Sequence, residues 1–306
     1  MQDNRKSMNI ITLTTDWGIR DNYSAIFKAH LLRADSSLQL VDITHQVPSN
    51  RISEAAFLLK TAYHYFPKNS VHIIDINRLN QHYNPKYQAA LLQGEESLKE
   101  LSFLDYLAFR YDNHYFLCEN NGIVSFLCSK FDIEEVVKLS FSDDYKHFTT
   151  FKAIPYYAQS AANLAKGVPL AEIGEPYPTN RIETIPNTPP IVSQSDENDA
   201  ITFNAVYIDN YGNIITNLHK DLFEKVANGR TRFDFYHTDL GTFKQQKLAH
   251  SYYDTSKSGL LFLFGHHLHL EMLTKEAPLD KFLLGHNAAP NMSGWRFTIT
   301  FRKNEQ

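Results

Sequence analysis

The most constraining stretch of this chain is residues 10–23, IITLTTDWGIRDNY, where an apolar, β-branched run stops at an Asp, crosses a Gly turn and enters a helical pattern. At the carboxyl end of a strand in an open α/β sheet, Asp16, Gly18 and Asp21 would lie where such folds take their ligands. Asp16 there offers a carboxylate to hydroxyls or a cation, and Gly18 permits a turn conformation that other residues resist. Asp21 reads equally as the N-cap of the helix that follows.

The same alternation continues. Residues 22–35 place Tyr23, Ile26, Phe27, Leu31 and Ala34 at helical spacing, and 38–43 reads as a buried strand. Residues 51–66 form a second amphipathic pattern, with Ile52, Ala55, Ala56, Leu59, Tyr63 and Phe66 on one face and Pro67 as the stop. VHIIDI at 71–76 is a third strand. This β-α-β-α-β order predicts a parallel sheet with right-handed crossovers. Further on, 87–92 is compatible with a strand, and 115–117 and 124–127 flank the turn ENNG at 119–122 in a hairpin-like pattern. Pro155 opens a helix over 156–166 that Gly167 ends.

A chain of 306 residues is long for one core. Residues 175–199 are rich in Pro, Asn, Ser and Thr without an apolar period, and short alternating strands follow at 201–208, 232–236, 258–264, 267–272 and 295–301, with a helix only at 222–227. The expected fold class is therefore α/β: an N-terminal α/β/α sandwich with a mainly parallel sheet over 1–178, a linker over 179–199, and a small C-terminal β-barrel domain over 200–306.

A formal charge of −4 argues against nucleic-acid or anionic-membrane partners, which call for a basic face. There is no apolar run of membrane-spanning length, and the polar start MQDNRKSMN does not read as a signal peptide, so a cytoplasmic location is expected. Two cysteines, Cys118 and Cys128, make neither a disulfide framework nor a metal-spaced pair, and read as buried reduced thiols.

Four polar clusters fall at strand ends: Asp16 with Asp21; Asp42, Thr44 and His45; Asp75 with Asn77; and 209–217 within YIDNYGNIITNL. In the last, Asp209, Asn210, Tyr211, Gly212 and Asn213 make a polar turn with one aromatic, for which a hairpin loop is the simpler reading. His267 and His269 share one face of a strand, with His266 beside them, a pattern that an exposed strand face explains better than a metal. His45 with Asp42 and Asp16 lacks the spacing of a metallohydrolase. Neither a metal nor a cofactor is expected, and Glu271 reads as a structural or interface acid.

Taken in order, TTDWGIRDNY, VDITHQVP, RISEAAFLL, YFPKNSVHI, ENNGI, YIDNYGNIITN and LHLEM resemble the S-adenosyl-L-methionine hydroxide adenosyltransferases of the fluorinase/chlorinase superfamily, over about residues 9–272. The resemblance implies a homotrimer that holds S-adenosyl-L-methionine (SAM), as substrate, between domains of neighbouring subunits. Water or hydroxide would attack the ribose C5′ to release adenosine and L-methionine. It also implies that Asp16 grips the ribose hydroxyls, Asp209 faces the ammonium of the methionine moiety, Tyr211 lies against adenine and Asn213 meets the base edge, an edge that asks for both a donor and an acceptor.

Around the nucleophile this chain departs from the family pattern. Where the relatives carry an Asp-Pro-Gly-Val-Gly loop, the Asp position is Asn77, followed by Arg78 and Leu79, and the Arg position is Asn84. Lys152, in Thr150–Phe151–Lys152–Ala153, takes the place of the catalytic His of a T-F-H-G-R-D block, and the Asn-Ser pair before the last matched strand becomes Gly265–His266. Asp75 lies two residues before Asn77 and on the same face by strand alternation. The expected catalytic set is thus Asn77, Arg78, Lys152 and Asp75. Lys152 beside a sulfonium would have its charged form disfavoured, which suits a base. The alternative is a protein that binds SAM or adenosine without turnover; a halide site is not expected, because no matching small-residue pocket is visible.

Overall fold

The computed structural model describes residues 9–76, 85–94, 97, 101, 105–140, 151–238, 241–253, 259–274, 279 and 295–304. The chain divides into two compact units, Met1–Asn187 and Thr188–Gln306.

The first unit is built on a seven-stranded sheet. Its strands are β1 (Ile10–Thr15), β2 (Gln39–Thr44), β3 (Val71–Asp75), β4 (Tyr106–Tyr111), β5 (His114–Glu119), β6 (Glu135–Leu139) and β7 (Gly174–Pro176), in the spatial order β2-β1-β3-β5-β4-β6-β7. The pairs β1–β2, β1–β3 and β3–β5 are parallel, and β4, β6 and β7 join antiparallel. The helices are α1 (Tyr23–Ala34), α2 (Ile52–Ala62), α3 (Pro85–Gln93), α4 (Val124–Leu127) and α5 (Gln159–Ala165), the last preceded by a π-helical turn at Ile154–Ala158. Phe27 and Leu31 of α1 pack with Ile11, Ile73, Leu117 and the 154–165 helix on one face of the sheet. Ile52, Ala55, Ala56 and Leu59 of α2 pack with Ile74, Phe116 and Cys118 on the other. The chain therefore leaves β1 in one direction to make β2 and returns past it to make β3, with the crossovers on opposite faces. The crevice at the carboxyl ends of β1 and β3 is the topological switch point of the sheet.

Several expectations are corrected here. β2 is an edge strand with no fully buried residue, not a buried one, because it has a neighbour on one side only. Residues 87–92 lie in helix α3; Gln, Ala and Leu in YQAALL are helix formers. ENNG is no hairpin: it carries β5 into α4, while the β4–β5 hairpin turns at Asp112 and Asn113, both with positive φ. Asn22, not Asp21, occupies the N-cap of α1, without a side-chain cap bond. The stretch 179–199 carries a 3₁₀ turn at Thr179–Arg181 and a strand, and the units part at 187/188.

The second unit is an eight-stranded, wholly antiparallel sheet: β8 (Ile191–Gln194), β9 (Asn198–Ile208), β10 (Ile214–His219), β11 (Phe233–His237), β12 (Gly241–Gln246), β13 (Leu260–Phe264), β14 (His269–Thr274) and β15 (Arg296–Arg302), with α6 (Lys220–Ala227) after β10. The order is β12-β11-β15-β9-β10-β14-β13, and β8 pairs with β9. Alternate residues point inward, Ile201 and Phe203 from β9, Phe297, Ile299 and Phe301 from β15, Phe233 and Phe235 from β11, Phe262 from β13, and they pack on one another. The sheet is curled into a half-barrel around this aromatic core. An isolated bridge from Leu248 to Phe262 ties the chain following β12 to β13, the strand at the far end of the order.

Candidate active site

Three acids end three neighbouring parallel strands: Asp16 just past β1, Asp75 at the end of β3 and Glu119 at the end of β5. Each closes a strand that is buried along most of its length, so the acid at its end is set at the carboxyl edge of the sheet. Register fixes their alignment. Thr15 faces Asp75 across β1–β3, and Ile74 faces Cys118 across β3–β5, which sets Asp75 beside Glu119.

Asp16 accepts a hydrogen bond of 2.8 Å from Ser49 Oγ, in the loop that leads into α2. Behind it the turn is braced twice: Gly18 N donates to His45 O at 2.6 Å, and Thr15 Oγ1 bonds His45 Nδ1 at 2.7 Å. Gly18 carries φ of 72°, the left-handed region that a Gly turn was expected to need. Trp17 stacks on His45 at 5.9 Å, meets Phe27 and Phe151 edge-on, and donates its indole N–H to Asp75 Oδ2 at 2.8 Å. His45 also pairs with Asp42, which Lys28 holds from α1, and burial lowers its pKa.

On the other side Tyr106 Oη donates to Glu119 Oε1 at 3.0 Å, and Tyr106 is stacked at 3.8 Å on Tyr156. Tyr157, fully buried, lies within electrostatic reach of Asp75 and Glu119, and its hydroxyl favours the ionised form of Asp75. Burial, reinforced by Glu119, raises the Asp75 carboxyl well above the usual carboxylate range, against the pull of the Trp17 indole. Burial also raises Glu119, opposed by the bond from Tyr106 and by the charge of Lys152.

Lys152 is exposed at the start of the segment leading into the π-helical turn. Asn77 and Arg78 lie outside the described residues. Glu119, Tyr106, Tyr157 and Ser49 were not singled out from the sequence. For Glu119 the signal is present in the sequence: HYFLCE, like IITLTTD and VHIID, is a β-rich run closed by an acid, although its Glu also opens the turn motif ENNG.

In the second unit, Asp209 and Asn213 close one turn between β9 and β10. Asp209 Oδ1 accepts from the backbone N–H of Tyr211 and of Asn213, both at 2.9 Å, and Oδ2 accepts from Asn213 Nδ2 at 2.9 Å. Gly212, with φ of 82°, completes it, and Tyr211 stands out from the turn 80% exposed. His266 is exposed in the turn before β14. His267 is in that turn as well, not on the strand face expected of it. Its Nδ1 accepts from His269 N at 3.1 Å and its Nε2 pairs with Glu271 at 3.2 Å, so these side chains fasten the turn. Among the described residues no three His, Cys, Asp or Glu side chains converge as metal ligands.

Comparison with known proteins adds to this geometry. The model of the SAM hydroxide adenosyltransferase N-terminal domain matches residues 11–93 and 102–174, and that of the C-terminal domain matches 203–283. An (R)-S-adenosyl-L-methionine hydrolase of Methanocaldococcus jannaschii is 24% identical over 218 residues, 70% of this chain and 68% of the relative. One from Salinispora arenicola is 24% identical over 207 residues, 67% and 70% of the two chains. In fold, the chain is similar to an uncharacterized conserved protein from Thermotoga maritima, with a TM-score of 0.74 at 20% identity, covering 95% of this chain and 99% of the other.

Proposed function

The chain belongs to the SAM hydroxide adenosyltransferase family, and on that premise we propose that it hydrolyses S-adenosyl-L-methionine to adenosine and L-methionine by attack of water or hydroxide at the ribose C5′. The observation that carries this reading is the row of carboxyl groups at the switch point, Asp16 beside Asp75 and Glu119, in the unit matched by the family's N-terminal domain. Asp16 takes the ribose 2′- and 3′-hydroxyls, a charge-assisted contact that fixes the sugar for in-line attack. Asp75 receives the proton of the attacking water, with Asn77, Arg78 and Lys152 around it. The Asp209 turn supplies the other half of the clamp, Tyr211 stacking on adenine, Asn213 meeting its edge and Asp209 the ammonium, with His266 near the ligand. The two half-sites belong to neighbouring subunits of a homotrimer, in the cytoplasm. The site is a dry one, because water stabilises a separated sulfonium and hydroxide more than the transition state that joins them.

Incubation with SAM in ¹⁸O-water, followed by chromatography and mass spectrometry, tests the reaction. Adenosine labelled at its 5′-oxygen, with an equal amount of methionine, is the expected result, and running both sulfonium epimers identifies the substrate form. Light scattering of the same preparation tests the trimer. Lys152 in place of the family's His supports a second reading, binding without turnover, which calorimetric binding of SAM with no adenosine formed would establish.

A further inference from the structure

We propose that Glu119 is a positioning residue for this displacement: with Asp75 it holds a single proton across the ends of β3 and β5, so that the pair takes the proton the attacking water gives up. This rests on the hydrolase reading above. The register sets the two side chains side by side on one face of the sheet, and like charges so placed resist ionising together, which raises the affinity of the ionised pair for one proton. The groups around them come from every neighbouring element: Asp16 and Trp17 after β1, Cys118 on β5, Tyr106 on β4, Tyr157 in the π-helical turn and the exposed Lys152. Trp17 donates to Asp75 and Tyr106 to Glu119, so each carboxyl is held by a donor from a different neighbouring element. Tyr157, fully buried, adds a hydroxyl that faces the pair and favours the ionised form of Asp75.

The chemistry balances. The water oxygen bonds to C5′, the C5′–S bond breaks, and its electrons leave with sulfur as the neutral thioether of methionine. The water proton passes to the pair in its ionised form, which then holds that one proton between the two carboxyls and returns it to solvent. An acid pair whose proton affinity lies near the working pH is a stronger base than an ordinary carboxylate, and burial with a like-charged neighbour provides this.

The test is the pH profile of kcat and KM. Glu119→Gln removes the like charge, so the acid limb of kcat moves down by about one pH unit. The plateau falls roughly tenfold or more, while KM stays within about twofold. Glu119→Asp restores the limb. Trp17→Phe, which removes a donor to Asp75, moves the limb the other way. Infrared difference spectra of wild type against Asp75→Asn, without substrate, show a protonated-carboxyl band at neutral pH that titrates lower in Glu119→Gln. A limb unmoved in Glu119→Gln, or a wild-type protein without that band but making adenosine, overturns the pair and leaves the hydrolase reading intact. A band with no adenosine overturns the hydrolase reading and the catalytic use of the pair together, leaving only the shared proton.

Discussion

Asp16 is presented by a turn whose every brace is local to the switch point: Ser49 bonds its carboxylate, His45 ties the backbone at Gly18, and Trp17 fills the space behind. The carboxylate itself sits at the edge of that frame, where it accepts the Ser49 bond. Asp16→Ala is therefore expected to fold with an unchanged melting temperature to within a few degrees. It should bind SAM about 10- to 100-fold more weakly, the worth of charge-assisted hydrogen bonds to the ribose. Calorimetric affinity equal to wild type would remove Asp16 from the clamp. Asp16 and Asp75 were legible in the sequence because an acid ending a β-branched run has few other places to be. Glu119 was missed because its partner relation is one of register between strands 44 residues apart in the chain, which no local pattern encodes. The Asp209 turn was legible as a turn, and its internal bonds explain why Asp, Gly and Asn stand there.

At the level of elements, the β-α-β-α-β start was readable because both helices carry long apolar faces and both central strands are rich in β-branched residues. Misreadings came where a short segment serves two conformations. ENNGI looks like a hairpin, yet Asn121 bonds Ile76 O and the N–H of Ile123, and so turns the chain into α4 over the end of β3. Gly122 in that turn has φ of 95°, and a Cβ there would meet Ile185 Cγ1 at 2.4 Å. Gly122→Ala is expected to destabilise the first unit by about 1–3 kcal/mol in denaturant unfolding. Adding Ile185→Ala relieves the clash but not the backbone strain, so the double variant should not recover the stability of Ile185→Ala alone. The polar strand β12 and short β8 escaped notice because their alternation is too brief or too hydrophilic to register.

For the molecule as a whole, the central sheet carries a second titratable chain far from chemistry: Thr12 bonds His72 at 2.7 Å, and His72 bonds His114 at 3.0 Å, all fully buried. Burial first, then the neighbouring imidazole for His72 and Lys68 for His114, lowers them to about 3 and about 4. Both folded values lie below the unfolded one of about 6.5, so the unfolded chain binds protons that the native chain refuses. Stability is complete above about pH 6.5 and falls as the pH drops toward 4, by about 2 kcal/mol per histidine at pH 5. Melting temperatures across this range should fall steeply in wild type and less so in His114→Gln. The curled sheet of the second unit has a different weak point. β9 and β15 run together over seven paired residues, whereas the ends of the strand order meet, among the described residues, only at Leu248 and Phe262, with Ala249 N donating to Phe262 O at 2.8 Å. A curled sheet latched by so slight a clasp breathes at its seam before its walls soften. Deuterium should reach the amide of Ala249 well ahead of those of Phe203 and Ile299, so that the unit loosens in solution like an unrolling scroll and not by melting from within.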